Sequence, residues 1–257
     1  MSYPANNRKT RIPPNDPSVR HLEAATVCIN YADFLDETLQ HNLHHFDEYV
    51  VVTSHDDKAT QRVCAKHGVI CVPTDVPYIR GEPFNKGMAV NLALAHLRHL
   101  DWMMHLDADV VLPDRFRTML NKSSLEKDCI YGMDRMNVVG IDKWEEIKKS
   151  EAFKRQFHHN YILQPYKDCP IGARILHNEF GWCPIGYSQL WHVNSHKRYP
   201  VNQGGAEHTD LLFALQWPIQ KRRLLPNAFV YHLESEPAKQ GANWQGRKTK
   251  PFKKKGK

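Results

Sequence analysis

The sequence predicts an α/β domain built on a mostly parallel sheet. Three observations carry that reading. Short apolar runs of strand length alternate with helical periodicities as far as Leu106. Gly68 and Pro73 punctuate that alternation where a helix and a strand should stop. Hydrophobic residues make up 41% of 257 positions, enough to bury a sizeable core. Strand–helix alternation implies parallel strands joined by crossover helices.

The elements follow in order. Ala24 to Asn30 is a short buried run and the first strand. Leu35, Leu39 and Leu43 share one face of a helix over 32–45. Tyr49 to Thr53 is the second strand. Lys58 to His67 is a helix with Gly68 at its C′ position. Val69 to Val72 is the third strand, and Thr74 to Pro83 a loop of turn formers. Asn85 to Leu100 is a helix, with Met88, Leu92, Ala95 and Leu97 as its apolar positions. Trp102 to Leu106 is the fourth strand.

The second half is less regular. Lys143 to Phe157 is predicted as a charged helix, and Tyr161 to Gly186 as loop. Gly186 to His192 alternates like a strand. His208 to Trp217 is helical, and Phe229 to His232 is a late strand. The expected organisation is an arm over 1–20, one catalytic domain over 21–247 and a basic tail over 248–257. Within the domain, 21–113 would bind the ligand, and 114–247 would take the acceptor and complete the site.

Composition narrows the class. Residues 1–20 are polar and Pro-rich and contain no apolar stretch of a secretory signal. No apolar run approaches the roughly 20 residues that span a bilayer. Six cysteines are scattered with no CxxC pair, which predicts buried free thiols in a reducing compartment. The expectation is a soluble, cytoplasmic protein (host cytoplasm if a phage encodes it). Net charge is +7, and the stretch from Gly246 to Lys257 holds seven Lys or Arg and no acid. Such an end suits a polyanionic partner or serves as a solvated tail.

Asp107-Ala-Asp109 is the strongest local signal. Two carboxylates separated by one small residue can face one divalent cation, Mn²⁺ or Mg²⁺, which shares its shell with phosphate oxygens. A bare DxD is common in exposed loops. Here it follows the fourth strand, at the sheet edge where α/β proteins bind ligands, with Pro113 close behind. Asp210, beside a helix start, is a candidate general base, with Glu207 as its competitor; a helix cap is the plainer reading. His232 ends an apolar strand and can add a third metal ligand. Arg247 or Lys248 can clamp a diphosphate, with Trp244 packed over the ligand.

Together these stretches resemble the GT-A family of glycosyltransferases, near its inverting nucleotide-sugar members. The likeness runs from about Ala25 to Arg247. It is carried by Thr26-Val-Cys-Ile-Asn-Tyr31, Val51-Val-Thr-Ser-His-Asp56 and Phe84-Asn-Lys-Gly-Met-Ala-Val-Asn91. It continues through Asp101 to Pro113, Gly205-Ala-Glu-His-Thr-Asp210, Tyr231-His-Leu and Asn243-Trp-Gln-Gly-Arg247. The resemblance implies a Rossmann-like central sheet with flanking helices. It implies that Asn30, Tyr31 and Asp56 surround the nucleotide base, and that Lys86 and Asn91 lie near ribose, diphosphate or sugar. Asp107 would bind ribose or metal, Asp109 metal, and His232 would complete the metal shell. Asp210 matches the acidic base position. The family's adjacent acidic pair is absent, because two residues separate Glu207 from Asp210, so the base stays open between them.

UDP is the usual donor nucleotide of such proteins and is the expected one here. The acceptor expectation rests on charge and aromatics. Tyr161, Tyr166, Phe180, Trp182, Tyr187 and Trp191 could hold an extruded base, which suggests a phage-type enzyme that modifies hydroxymethylated pyrimidines in DNA. The rival acceptor is a capsule, lipopolysaccharide or other glycan. A non-enzyme rival is a nucleic-acid-binding protein on a degenerate α/β scaffold. A nucleotidyltransferase would need a Gly-rich loop with a following cation after the first strand, where Asn30-Tyr-Ala-Asp33 stands.

Overall fold

The computed structural model describes residues 19–81, 83–150, 153, 171–172, 175–178, 181–184, 186–201, 206, 208–236 and 245–253. In the first half, β1 (Leu22–Val27), β2 (Glu48–Thr53), β3 (Ile70–Pro73) and β4 (Trp102–Leu106) form a parallel set in the order β3-β2-β1-β4. The crossovers are α1 (Ala32–Asn42), α2 (Lys58–His67) and α3 (Lys86–Ala95). The parallel strands and their crossover helices are as predicted; the order across the sheet comes from the structure. Strands covered on both faces read as continuous apolar runs, as Val50-Val-Val52 does.

Local signals set the helix ends. Asp57 accepts the Thr60 N–H at 3.0 Å and caps α2. Gly68 ends it in the left-handed region, at φ 69°. β1 starts two residues before the expected strand, because buried Glu23 is satisfied there. Its carboxylate accepts the N–H groups of Arg98, His99 and Leu100 at 2.7, 2.8 and 3.3 Å and so closes the turn into β4.

The second half completes the sheet. β5 (Val110–Val111) and α4 (Phe116–Lys122) follow β4, then β6 (Ile130–Val139) and α5 (Ile141–Lys149). β7 (Ile171–Gly172) pairs with β6, while β8 (Ile175–Asn178) and β9 (Gly181–Pro184) pair with each other as a separate ribbon. β10 (Ser188–His192), α6 (Thr209–Ala214) and β11 (Arg222–Glu234) follow. The sheet continues from β4 through β10, β6 and β11 to β5, giving nine strands with β7 among the described residues. β10 runs antiparallel to both β4 and β6, and β11 runs parallel to β6. Six strands therefore share one direction.

Several expectations change. β6 has ten residues, and α4 is a full element; neither stands out in the sequence. The strand expected at 229–232 extends over thirteen residues, with a register shift between Leu224 and Phe229. α5 stops at Lys149, where Ser150 turns extended; of residues 151–157, only Phe153, itself helical, is described. Part of the stretch predicted as loop over 161–186 is strand. The basic end also packs: Phe252 is buried, stacking on Phe34 with ring centroids 4.7 Å apart. Five cysteines are free, four of them buried; Cys169 lies outside the described residues. Residues 1–18 of the arm expected over 1–20, and the last four residues, lie outside them too. No described helix is long and apolar enough to cross a membrane.

Candidate active site

The carboxyl ends of β1 and β4 open into a cleft lined by Val27 to Ile29, Tyr31, Phe84, Lys86, Asp107 to Asp109 and Ala206. It lies where parallel sheets place ligands. The loop after β1 is held by a residue the sequence analysis passed over. Asp57 accepts the Asn30 N–H at 2.7 Å and the Thr60 hydroxyl at 2.6 Å. Asn30 is thereby kept at φ 57°, a left-handed conformation that asparagine tolerates. Asp57 is legible as a helix cap and in no other way. Asp56, expected beside the nucleotide, is exposed and does not line the cleft.

Tyr31 stacks on Phe34 at 4.4 Å, and the Arg247 guanidinium lies 5.3 Å from its ring centre. Arg247 holds Asp33 bidentately at 2.6 and 2.9 Å. Its other bonds go to the carbonyls of Asn30, Thr249 and Lys250. All five guanidinium N–H donors thus have protein acceptors, so the expected diphosphate clamp is here a clip joining the chain's end to α1. Lys248 is exposed, and Trp244 and Glu207 lie outside the described residues.

α3 brings Lys86 into the cleft. Its start lies tight against the segment after β10, since a Cβ on Gly87 would sit 2.0 Å from the Pro200 carbonyl oxygen. Asn91 staples the same contact. Its amide donates to the Tyr199 carbonyl at 2.7 Å and accepts the Tyr199 N–H at 2.9 Å. Asn91 is therefore tied to the backbone and does not line the cleft.

Lys86 donates to Asp107 Oδ1 at 3.0 Å and to Asp210 Oδ2 at 2.9 Å. Burial works against its charge, yet the two carboxylates outweigh burial and raise its pKa. Asp107 is held below the usual carboxylate range: burial opposes this, and Lys86 and then His105 overcome it. His105 lies wholly buried between the carboxylates, 3.6 Å from Asp107 and 3.7 Å from Asp210, too far for hydrogen bonds. Burial, aided by Lys86, pushes its pKa down to about 4 and keeps it neutral.

Two residues from β10 and its approach place Asp210. Gln189 donates to the Asp210 carbonyl at 3.0 Å. Gly186 leaves room for the carboxylate, since a Cβ there would lie 1.6 Å from Asp210 Oδ2. The sequence offered no local sign of either role.

Beyond the turn, the Leu233 N–H donates to the Asp109 carbonyl at 2.8 Å and ties the acidic motif to β11. Asp109 Oδ1 faces His232 Nε2 at 3.6 Å, and His232 Nδ1 contacts Glu234 at 3.3 Å. Burial raises the Asp109 pKa; His232 opposes the rise and Asp107 adds to it. Burial lowers that of His232, but Asp109 and Glu234 outweigh it and the net shift is upward. Asp109 Oδ1 is buried with no hydrogen-bond partner among the described residues. A carboxylate oxygen without a partner, facing an imidazole nitrogen that a carboxylate orients from behind, fits a divalent cation. Asp107 is turned toward Lys86, so the three expected ligands do not form one closed shell. The compact ligand cluster among the described residues, Glu126, Asp128 and Cys129, lies elsewhere, and Lys221 pairs with its carboxylates at 3.1 and 2.8 Å.

Sheet order and cleft define a GT-A-type fold. A mycobacterial protein of known structure superposes with a TM-score of 0.50 at 14% identity, over 88% of this chain and 70% of that one. Glucosyl-3-phosphoglycerate synthase from Mycobacterium tuberculosis, in complex with Mn²⁺, UDP and phosphoglyceric acid, matches with a TM-score of 0.36 and 16% identity. That match covers 45% of this chain and 43% of the synthase. The inositol-1-phosphate CTP transferase from T. maritima matches at 0.45 and 12% identity, over 87% and 93% of the two chains. No family model and no curated sequence matches the chain.

Proposed function

We propose that this chain transfers a sugar, with inversion, from a UDP-sugar to an acceptor hydroxyl, and requires Mn²⁺ or Mg²⁺. The observation that carries this reading is the buried, unpartnered Asp109 Oδ1 facing His232 Nε2 at 3.6 Å beside an open cleft. Asp109 and His232 would hold the cation, with Asp107 binding ribose or metal. A bound divalent cation supplies the positive charge that stabilises a departing diphosphate. Asn30 and Tyr31 would border the base, and Lys86 would reach the diphosphate. Asp210, or Glu207 in its place, takes the acceptor's hydroxyl proton. The acceptor oxygen then bonds to the anomeric carbon from the face opposite the diphosphate. The bond from that carbon to the diphosphate oxygen breaks, and UDP leaves with the electron pair.

The finer reading is a hydroxymethylated pyrimidine in DNA as acceptor. The net charge of +7 supports it. Tyr187 and Trp191 do not, since both are buried in the core. The pinning of the basic end by Phe252 and Arg247 also removes part of its case. The test is nucleotide release from UDP-, GDP- and TDP-sugars with Mn²⁺, followed by mass spectrometry of hydroxymethylated DNA and glycan acceptors. UDP release that Asp109→Ala abolishes is the expected result. No release from any donor, or release indifferent to Asp109→Ala, would overturn the reading and favour a binding protein.

A further inference from the structure

The far end of β6 and β11 alternates in burial. Met136, Val138, Phe229, Tyr231 and Leu233 are buried in one apolar cluster with Trp144 and Phe34. The alternate positions, Arg135 and Asn137 on β6 and His232 and Glu234 on β11, belong to the opposite face. Asn137 stands level with His232 in the ladder, and Arg135 with Val230. The polar face is therefore continuous with the Asp109–His232 pair.

Two of its atoms, although buried, have no hydrogen-bond partner among the described residues: Arg135 Nε and Asn137 Oδ1. Arg135 differs from the other cations of the region. Lys86 has two carboxylates and Arg247 has Asp33, whereas no ion pair among the described residues engages Arg135. Its guanidinium lies over the Tyr187 ring, 4.7 Å from the centroid. Tyr187 is buried, and its hydroxyl donates to the Met133 carbonyl, so the platform is fixed. Arg135 is close enough to act electrostatically on both Asp109 and His232. A stacked guanidinium keeps its planar edge for an anion, and carboxylate or phosphate matches that fork.

Position decides which substrate brings the anion. β10 separates β6 from β4, so β6 runs about 10 Å from β4. The cleft assigned to the nucleotide lies on the β1 side of β4. We infer that Arg135 and Asn137 form a subsite for a carboxylate or phosphate carried by the acceptor, next to the hydroxyl that receives the sugar. This rests on the transferase reading above.

The experiment is calorimetric titration of the full chain, preloaded with UDP and Mn²⁺, with two probes. One is glycerol 3-phosphate; the other is an oligonucleotide containing hydroxymethylcytosine. Arg135→Gln should weaken the probe that the wild type binds by roughly 10- to 100-fold, the loss expected of a charge-assisted bond. Arg135→Lys keeps the charge and loses the fork, and should fall between. Affinity for UDP with Mn²⁺ should change less than affinity for the probe in both variants, because Arg135 acts on Asp109 and His232 only through its field. Loss confined to the small probe assigns a small acceptor anion, and loss confined to the oligonucleotide a DNA phosphate; both support the subsite. The inference is overturned if UDP binds and neither probe does, or if the Arg135 variants weaken UDP and spare the probes. Failure of the wild type to bind UDP with Mn²⁺ would instead sink the transferase reading and the subsite with it.

Discussion

Lys86 lies within 3.0 Å of two carboxylates, while across the same turn Asp109 Oδ1, Asn137 Oδ1 and Arg135 Nε are buried without a hydrogen-bond partner among the described residues. The two sides of the cleft are thus completed differently. On the Lys86 side each charge has a counter-charge, although Asp210 Oδ1 and both His105 nitrogens lack hydrogen bonds. On the His232 side the atoms are of ligand-binding type, and Asp109 Oδ1 faces His232 Nε2 across 3.6 Å, too long for a hydrogen bond. Buried polar groups left unpaired are costly, so a cluster of them points to a partner from outside. The paired side is organised before any ligand arrives. The unpaired side is where a cation and an acceptor would complete the structure.

The largest expected effect comes from breaking the paired side. Lys86→Met leaves Asp107 and Asp210 as two poorly solvated carboxylates with no cation between them. Loss of one partner from such a network costs about 3–5 kcal/mol. The denaturant midpoint, with the transition slope unchanged, reports it. A change below about 1 kcal/mol, the scale of an exposed pair, would mean that Lys86 organises nothing.

A smaller effect sharpens the contrast by moving one carboxylate. Gly186→Ala places a methyl group where Asp210 Oδ2 lies, 1.6 Å from the new Cβ. Displacing a base by about 1 Å can lower kcat by roughly 100-fold. KM for the UDP-sugar should barely change, because Gly186 does not line the nucleotide cleft. A rise in KM with kcat intact would remove Asp210 from the proton-transfer role.

The smallest effect is a control from outside both sides. His45 is buried behind α1, and burial, reinforced by His44, pushes its pKa to about 3. An unfolded histidine protonates near 6.5. Between those values the unfolded chain binds more protons, so stability falls as pH drops from about 6.5 toward 3 and returns as pH rises. Glu37, held to about 2 by hydrogen bonds from His41, Lys148 and Trp144 that outweigh burial, adds a second loss as pH falls from about 4.5 toward 2. His45→Gln should remove the upper part of this slope, worth on the order of 1–2 kcal/mol in unfolding scans from pH 7 to 5. An unchanged slope would assign the acid sensitivity to other groups, His105 first.

The first four strands and three helices were legible because their signals are local. Val50-Val-Val52 is apolar throughout, and Gly68 stops α2 at the expected place. β6 was not legible, because Asp134, Arg135 and Asn137 break its apolar run. Such a strand reads as loop until its neighbours are known. The expected site divides along the same line. Asp107, Asp109, Lys86 and Tyr31 line one cleft, and His232 joins Asp109 from the far half of the chain. Asp56, Asn91 and Arg247 were near matches in sequence whose side chains the fold directs elsewhere.

The sequence by itself determined the succession of parallel strands and crossover helices along the chain, the stop at Gly68 and the placing of Asp107 and Asp109 after β4. Periodicity and capping act within a few residues, so one stretch of chain contains them. Only the tertiary structure decided that Lys86 neutralises Asp210 across 124 residues, that Gly186 makes room for that carboxylate, and that Arg135 is left without one among the described residues. Charge pairing and burial depend on distance in space, which separation along the chain does not set: β10, from the second half, enters the sheet antiparallel between β4 and β6.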